Sequence, residues 1–492
     1  MLAQASSVSA ADPFISEVMS ANDTTLRDSF SNSPDWIEIY NPNDQPFSLA
    51  DWSLTDDPQD LKKWTFPKVS IDARQFLVVF ASGENKTETD GELHTGFRLA
   101  RDGEYLGLVK PDGTIANEFK PELPALDSDQ SYGVSMMGDG ETLLPVDPTN
   151  MVFLFSPTPG SINTAGAVGK AGEPIFSPPA GTFVTSFELE LSSTRANEEV
   201  RYTMDGSMPT SESTPYTKPV AIESSVMVRA RCFRQGSIPG SSVSKGYLKL
   251  AGNLHNFSSN LPVVVVQDFK DGNILPDPDI PRGTLLQHQE GYMMVHEPGE
   301  EDRRTRLTDA PTLETRIGIK IRGNSTQNRP KKAFTLEAWN EYDEDKDIAP
   351  LNMPEDSDWI LYAPYNFDRA MIRNAFIYEI SNQIGRYAVR TRFCEVFVNT
   401  DGGSLGYEDY VGVYSFMEKI TRGRNRVDIR RIDPGHSDEP EISGGYMFKL
   451  DRTDPGDSGF VAGKEGILWV DPKENEVPPE QAKWVTDYIN SM

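Results

Sequence analysis

Residues 316–336 run Arg316-Ile317-Gly318-Ile319-Lys320-Ile321-Arg322-Gly323-Asn324-Ser325-Thr326-Gln327-Asn328-Arg329-Pro330-Lys331-Lys332-Ala333-Phe334-Thr335-Leu336. Isoleucine at every second position from Ile317 to Ile321 predicts a strand with one apolar face. Gly323-Asn324-Ser325 is turn chemistry, and Lys331 to Leu336 reads as the returning strand. Upstream, Leu261-Pro262-Val263-Val264-Val265-Val266 is a continuous apolar run, the pattern of a strand buried on both faces. Downstream, Met371, Asn374, Ala375, Tyr378 and Ile380 or Ser381 recur at helical spacing, with Asp368 placed to cap them. Strands resume at Phe393–Val398 and Val411–Glu418. Strand pair, helix, strand pair predicts an α+β domain over residues 260–492.

The chain before residue 260 has a different texture. Trp36-Ile37-Glu38-Ile39-Tyr40, Phe76-Leu77-Val78-Val79-Phe80 and Tyr105-Leu106-Gly107-Leu108-Val109 alternate, separated by Asn41-Pro42-Asn43-Asp44, Ala81-Ser82-Gly83 and Pro111-Asp112-Gly113. Such spacing without a helical period predicts a β-sandwich over residues 12–165. Ile15-Ser16-Glu17-Val18, Asp35 to Asn41, Leu49-Ala50-Asp51-Trp52-Ser53-Leu54, Trp64-Thr65-Phe66 and the closing Pro157-Thr158-Pro159-Gly160 resemble the lamin-tail domain. That resemblance implies an immunoglobulin-like sandwich used for attachment. Asp35, Glu38, Asp51, Asp56 and Asp57 are calcium candidates, with a solvated acidic face as the simpler account.

Ser156 to Ala167 has linker composition. Residues 170–250 repeat the all-β pattern on a smaller scale: Phe187, Leu189 and Leu191 share a face, and Val200 to Thr203 precede the turn Asp205-Gly206. Arg201-Tyr202-Thr203-Met204-Asp205-Gly206-Ser207-Met208-Pro209-Thr210, followed by Tyr216, resembles the small C-terminal sandwich of chitobiases and hexosaminidases. A weaker boundary is expected at Ala251 to Leu261, where a strand pattern gives way to a polar run.

At 492 residues the chain exceeds one core, and three domains are expected. With 47 basic against 75 acidic residues its formal charge is −28, which disfavours nucleic acid and anionic membrane as partners. Positive charge is local, at Arg303, Arg304 and Arg306 and again at Arg422, Arg424, Arg426, Arg430 and Arg431. No apolar run is long enough to span a membrane. Cys232 and Cys394 each sit in a strand-like alternation and read as buried thiols, and the five histidines lack zinc-ligand spacing. Residues 1–11 are rich in small side chains, and Val8-Ser9-Ala10 fits an export-signal remnant, set against an ordinary flexible start.

Phosphoryl transfer from ATP needs a cation on the phosphates, a carboxylate holding it, and acidic metal ligands. By spacing alone, Lys331 or Lys332 with Glu379 on the following helix is a commonplace pattern that surface charge explains better. The strings are more specific. Arg322-Gly323-Asn324-Ser325-Thr326 with Lys331-Lys332-Ala333-Phe334, then Asp368 to Asn374, then Gly412-Val413-Tyr414 with Glu418, then Gly444-Gly445-Tyr446-Met447-Phe448-Lys449-Leu450-Asp451 resemble the CotH family, spore-coat protein H-like atypical protein kinases. The strand–helix–strand order also has the shape of a kinase N-lobe. The resemblance implies a kinase-like fold using ATP with Mg or Mn. Arg322, Asn324, Ser325 and Lys331 or Lys332 would then contact nucleotide, with Glu379 as the lysine's partner and Glu418 at the hinge. Strand alternation puts Lys332 in phase with Phe334 and Leu336, so Lys331 points away from an aromatic core. Family members carry catalytic and metal-binding aspartates further on, within a Trp-Asp-aromatic-Asp/Asn string. Trp469-Val470-Asp471 lacks that pattern, so those residues are expected beyond Met492, leaving Asp451, beside Arg452, as the catalytic candidate.

The architecture expected is therefore multidomain: two immunoglobulin-like all-β sandwiches followed by an incomplete α+β kinase-like domain. The function expected is a secreted or cell-surface protein that, in its intact form, phosphorylates Ser or Thr on an exported protein. The alternative is a non-catalytic scaffold or adhesion protein that binds a cell-surface or matrix component. A carbohydrate-processing enzyme is disfavoured, because no segment presents two carboxylates across a sugar cleft.

Overall fold

The structure, a computed structural model, describes residues 11–29, 32–87, 91–136, 147–269, 284, 286–323, 326–327, 329–430, 432, 436–451, 453, 457–473 and 477–492. The chain forms two compact units. One comprises Met1–Glu173, Arg195–Glu199 and Cys232–Ser241; the other comprises Pro174–Thr194, Val200–Arg231 and Ser242–Met492.

The first unit holds a seven-stranded and a four-stranded sheet. Strands β1 (Phe14–Met19) and β2 (Trp36–Tyr40) pair antiparallel near the centre of the larger sheet. Ile15, Ile37 and Ile39 pack against Leu54, Trp64, Leu106 and Leu108 in one core, as the alternation predicts. The Pro/Gly stretch is not a linker. Gly166–Ala167 pairs with Met151–Leu154, extending the sheet. Before it, the Thr158 N–H donates to the Glu17 carboxylate at 3.0 Å and the Gly160 N–H donates to Glu38 at 2.6 Å. Glu38 is thus no part of an acidic face. Glu17 and Glu38 lie opposite each other across β1 and β2, fully buried, where they satisfy backbone donors that have no strand partner. Burial pushes Glu38 up to about 8 and raises Glu17 as well.

Strands from residues 174–249, most of which belong to the second unit, form three-stranded and five-stranded sheets, as expected of a small sandwich. The expected boundary near 251–261 is instead core. Met227, Leu248, Leu250, Leu254 and Phe257 pack with Val263, Val265, Tyr292, Met294, Leu307 and Phe397. A polar seam adds to this contact: buried Arg229 donates to the Gly206 carbonyl (2.8 Å) and the Glu341 carbonyl (2.7 Å).

Seven strands then close into a barrel: β3 (Val263–Gln267), β4 (Gln289–His296), β5 (Leu313–Ile321), β6 (Phe334–Trp339), β7 (Asp358–Tyr362), β8 (Thr391–Asn399) and β9 (Tyr410–Glu418). Their order around the barrel is β3-β4-β5-β6-β7-β9-β8, and the parallel pair β3–β8 closes it. All five residues of β3 are buried, because alternate valines face the barrel interior and the core shared with the sandwich. Helix α1 (Arg373–Gln383) lies between β7 and β8 in sequence. A three-stranded sheet follows, built from β10 (Met447–Lys449), β11 (Gly459–Ala462) and β12 (Glu465–Asp471), then helix α2 (Pro479–Ser491). Both cysteines are buried free thiols, Cys394 inside the barrel. Among the described residues no α-helix falls within 11–250, and no helix is long and apolar enough to cross a membrane. The proposed signal remnant Val8-Ser9-Ala10 lies outside the described residues.

Candidate functional site

Alternation sorts the barrel residues into two sets. Ile319, Ile321, Phe334, Leu336, Trp359, Leu361, Tyr414 and Phe416 fill the interior. Their neighbours face outward, and the register lines them up: Lys320 opposite Thr335, Thr335 opposite Ile360, Ile360 opposite Met417. Over this outer row sits α1, whose start is fixed by Asp368. That carboxylate accepts the Arg373 N–H at 2.8 Å, so the expected cap acts from five residues upstream. Tyr378 on α1 packs toward Ile360, Val389 and Met417. The result is a cleft of about 350 Å³. Its apolar walls are Ile360, Tyr362, Tyr378 and Met417; Arg322, Thr335 and Asn374 add polar groups; and the chain leaving β9, Glu418 to Ile420, forms one side.

Of the expected site residues, Arg322 reaches this cleft and Glu418 borders it. Asn324 and Ser325 lie outside the described residues. The lysines do not meet Glu379. Lys331 Nζ donates to the Val413 carbonyl at 2.5 Å and sits 4.5 Å from the centre of the Tyr414 ring. The phase argument failed because β6 starts only at Phe334, so residues 331–333 are not yet alternating. Lys331 therefore lies against a core tyrosine, and burial pushes its ammonium down from the ordinary value. Lys332 Nζ donates to the Gln327 carbonyl, tightening the turn. Glu379 is exposed, accepts from Gln383 at 2.8 Å, and lines a different cleft of about 380 Å³ with Arg386, Arg390 and Arg392.

Glu418 is committed as well. Fully buried, it takes Arg390 Nη1 at 2.6 Å, the Arg390 N–H at 2.9 Å and Arg426 Nη1 at 2.5 Å. Arg426 also binds Asp356 at 2.9 Å and stacks 4.6 Å from the Trp359 ring centre. A carboxylate so engaged anchors the strand end and does not receive a ligand directly. Asp451 is exposed and follows β10, which ends at Lys449, so it is not borne on a strand; its neighbour Arg452 lies outside the described residues.

Residues 319–492 match the CotH kinase protein family. Residues 178–245 match the chitobiase/beta-hexosaminidase C-terminal domain and residues 6–121 the lamin tail domain, in that order along the chain. No curated protein matches the chain. The β3–β4 hairpin precedes the CotH match, yet it supplies two of the seven barrel strands.

The cleft, within the matched segment, has the size and lining of a small-molecule pocket: ligand pockets run from about 300 to 1,000 Å³, mostly apolar with few polar groups. Divalent-cation ligands are another matter. Among the described residues, no three His, Cys, Asp or Glu side chains are grouped to hold a metal ion. Sequence reasoning missed Tyr362, which stands on a strand it did not predict, and Tyr378, which read only as a helix residue. It also missed Arg426, whose place in a basic run concealed a fully buried side chain.

Proposed function

We propose that the protein is a CotH-type kinase-like protein of the cell exterior that binds ATP in the cleft between α1 and the outer face of β6, β7 and β9. Its phosphate acceptor would be a Ser or Thr on an exported protein. What supports this reading is the cleft itself. An apolar slot bounded by a barrel wall, one helix and the segment leaving a strand, with a cation at its mouth, suits a purine and its phosphates. Isothermal titration of the full chain with ATP tests it. Saturable binding is expected, lost on Thr335→Trp, which fills the cleft, with the circular dichroism spectrum unchanged. Absence of ATP and ADP binding in the millimolar range would refute it.

A second reading draws on a different observation. Lys331, Lys332 and Glu418 are all engaged in contacts that hold the barrel together. A non-catalytic scaffold that keeps the kinase-like shape accounts for that directly, and predicts no nucleotide binding.

A further inference from the structure

We propose that Lys320 and Arg322 form a polyphosphate subsite at this cleft, in the role that the sequence pattern suggested for Lys331 and Lys332. The proposal rests on the nucleotide reading above.

Both residues stand on the outer face of β5 or at its end, two positions apart, so their Cα atoms lie about 7 Å from each other. Arg322 lines the cleft, and Lys320 is the register partner of Thr335, which lines it too. Among the described residues, neither side chain has a carboxylate within ion-pair distance or a hydrogen-bond partner. Other cations nearby are paired: Lys419 with Asp358 at 2.6 Å, Arg390 and Arg426 with Glu418, Arg422 with Asp471 at 2.8 Å. Glu337, one anion of that outer face, faces His288 at 3.1 Å. In a chain with 75 acidic and 47 basic residues, two adjacent unpaired cations at a cleft are a local inversion of sign. Side by side they repel, and an anion spanning both removes that repulsion.

Strand geometry makes the pair more than a mobile surface patch. Lys320 pairs with Thr335 of β6 and the Arg322 N–H donates to the Ala333 carbonyl at 2.7 Å, so both Cα positions are held on the β6 side before any ligand arrives. The cations stand on the β5 side of the apolar slot, and the segment Glu418–Ile420 lies across it, beyond β7. A ligand with a flat apolar end and a multiply charged tail would place the tail over Arg322 and Lys320. That is the chemistry of a nucleoside di- or triphosphate, and it separates such ligands from a nucleoside.

The test uses the full chain and four ligands: ATP, ADP, adenosine and inorganic tripolyphosphate. Lys320→Met and Arg322→Gln should each weaken ATP and tripolyphosphate binding roughly tenfold or more, as loss of one charge-assisted contact does. Adenosine affinity should not change. Lys331→Met, which removes a structural contact, should leave ATP affinity at the wild-type value, and thermal unfolding of each variant checks that it is folded. ATP binding that is indifferent to both substitutions overturns the subsite while leaving the nucleotide reading intact. Tripolyphosphate binding that depends on Lys320 and Arg322 without any ATP binding supports the subsite and sinks the nucleotide reading. No binding of either anion overturns both.

Discussion

Replacing Glu38 by Gln should flatten the pH dependence of the first unit's stability between about 4.5 and 8. Glu38 is fully buried on β2, with Ser16 Oγ at 2.6 Å from one oxygen and the Gly160 N–H at 2.6 Å from the other. Burial pushes it from 4.5 to about 8, helped by Glu17 across the strand pair. The folded state therefore binds more protons than the unfolded state between those two values, and stability falls as pH rises through that window. The stabilisation is whole below about 4.5 and gone above about 8. Each pH unit removes about 1.4 kcal/mol, so the window spans roughly 5 kcal/mol, comparable with the total stability of a small domain. Gln keeps the shape, donates to Ser16 Oγ and accepts from Gly160 without titrating. The assay is hydrogen exchange of peptides covering 12–19 and 150–165, corrected for intrinsic rate, from pH 5 to 9. Wild-type protection should fall steeply with pH, and Glu38→Gln should fall more gently, the remaining slope being that of buried Glu17. Parallel profiles for the two proteins would refute the argument.

Two other substitutions probe the barrel. Glu418→Ala leaves buried Arg426 with Asp356 alone and removes the buried anchor of Arg390, and should destabilise the second unit by about 3 kcal/mol in chemical denaturation; a loss below about 1 kcal/mol contradicts the account of Glu418 as an anchor. Gly412 has φ 96°, and a Cβ there would lie 3.1 Å from Lys331 Nζ. Gly412→Ala should cost about 1–3 kcal/mol, and adding Lys331→Met should relieve the steric part but not the backbone part. A double variant as stable as Lys331→Met alone would show that the backbone is not strained.

Much of the fold was legible because its signal is local. The alternation in Ile317–Ile321 and the unbroken valines of β3 each report how many faces of a strand are buried, and burial agrees in both; Trp36–Tyr40 is instead buried on both faces, its Glu38 held by Ser16 and Gly160. The Pro/Gly stretch misled because composition records where a chain turns, not what holds the turn. Two glutamates more than a hundred residues upstream grip that segment. The candidate site failed for a related reason. The resemblance assigns the phosphate cation to Lys331 or Lys332, and alternation counted from Lys331 only orients the pair; β6 starts at Phe334, and both lysines donate to backbone carbonyls. No sequence pattern states which cations lack a counter-ion. That property of Lys320 and Arg322, among the described residues, emerges only from the placement of the carboxylates around them.

The parallel closure of the barrel also sets a schedule for synthesis. β3 can pair with β4 almost as soon as it emerges, but its other edge must wait for β8, and 123 residues separate Gln267 from Thr391. At a translation rate of about 5–20 residues per second, that edge stays open for roughly 6–25 s. During that interval a row of four valines presents unpaired backbone, the kind of edge that recruits strands from other chains. The small sandwich, already complete, covers one face of those valines through Leu248 and Leu250. It thereby serves the nascent barrel as a built-in shield, and deleting it should raise aggregation during expression more than it lowers the stability of barrels already closed.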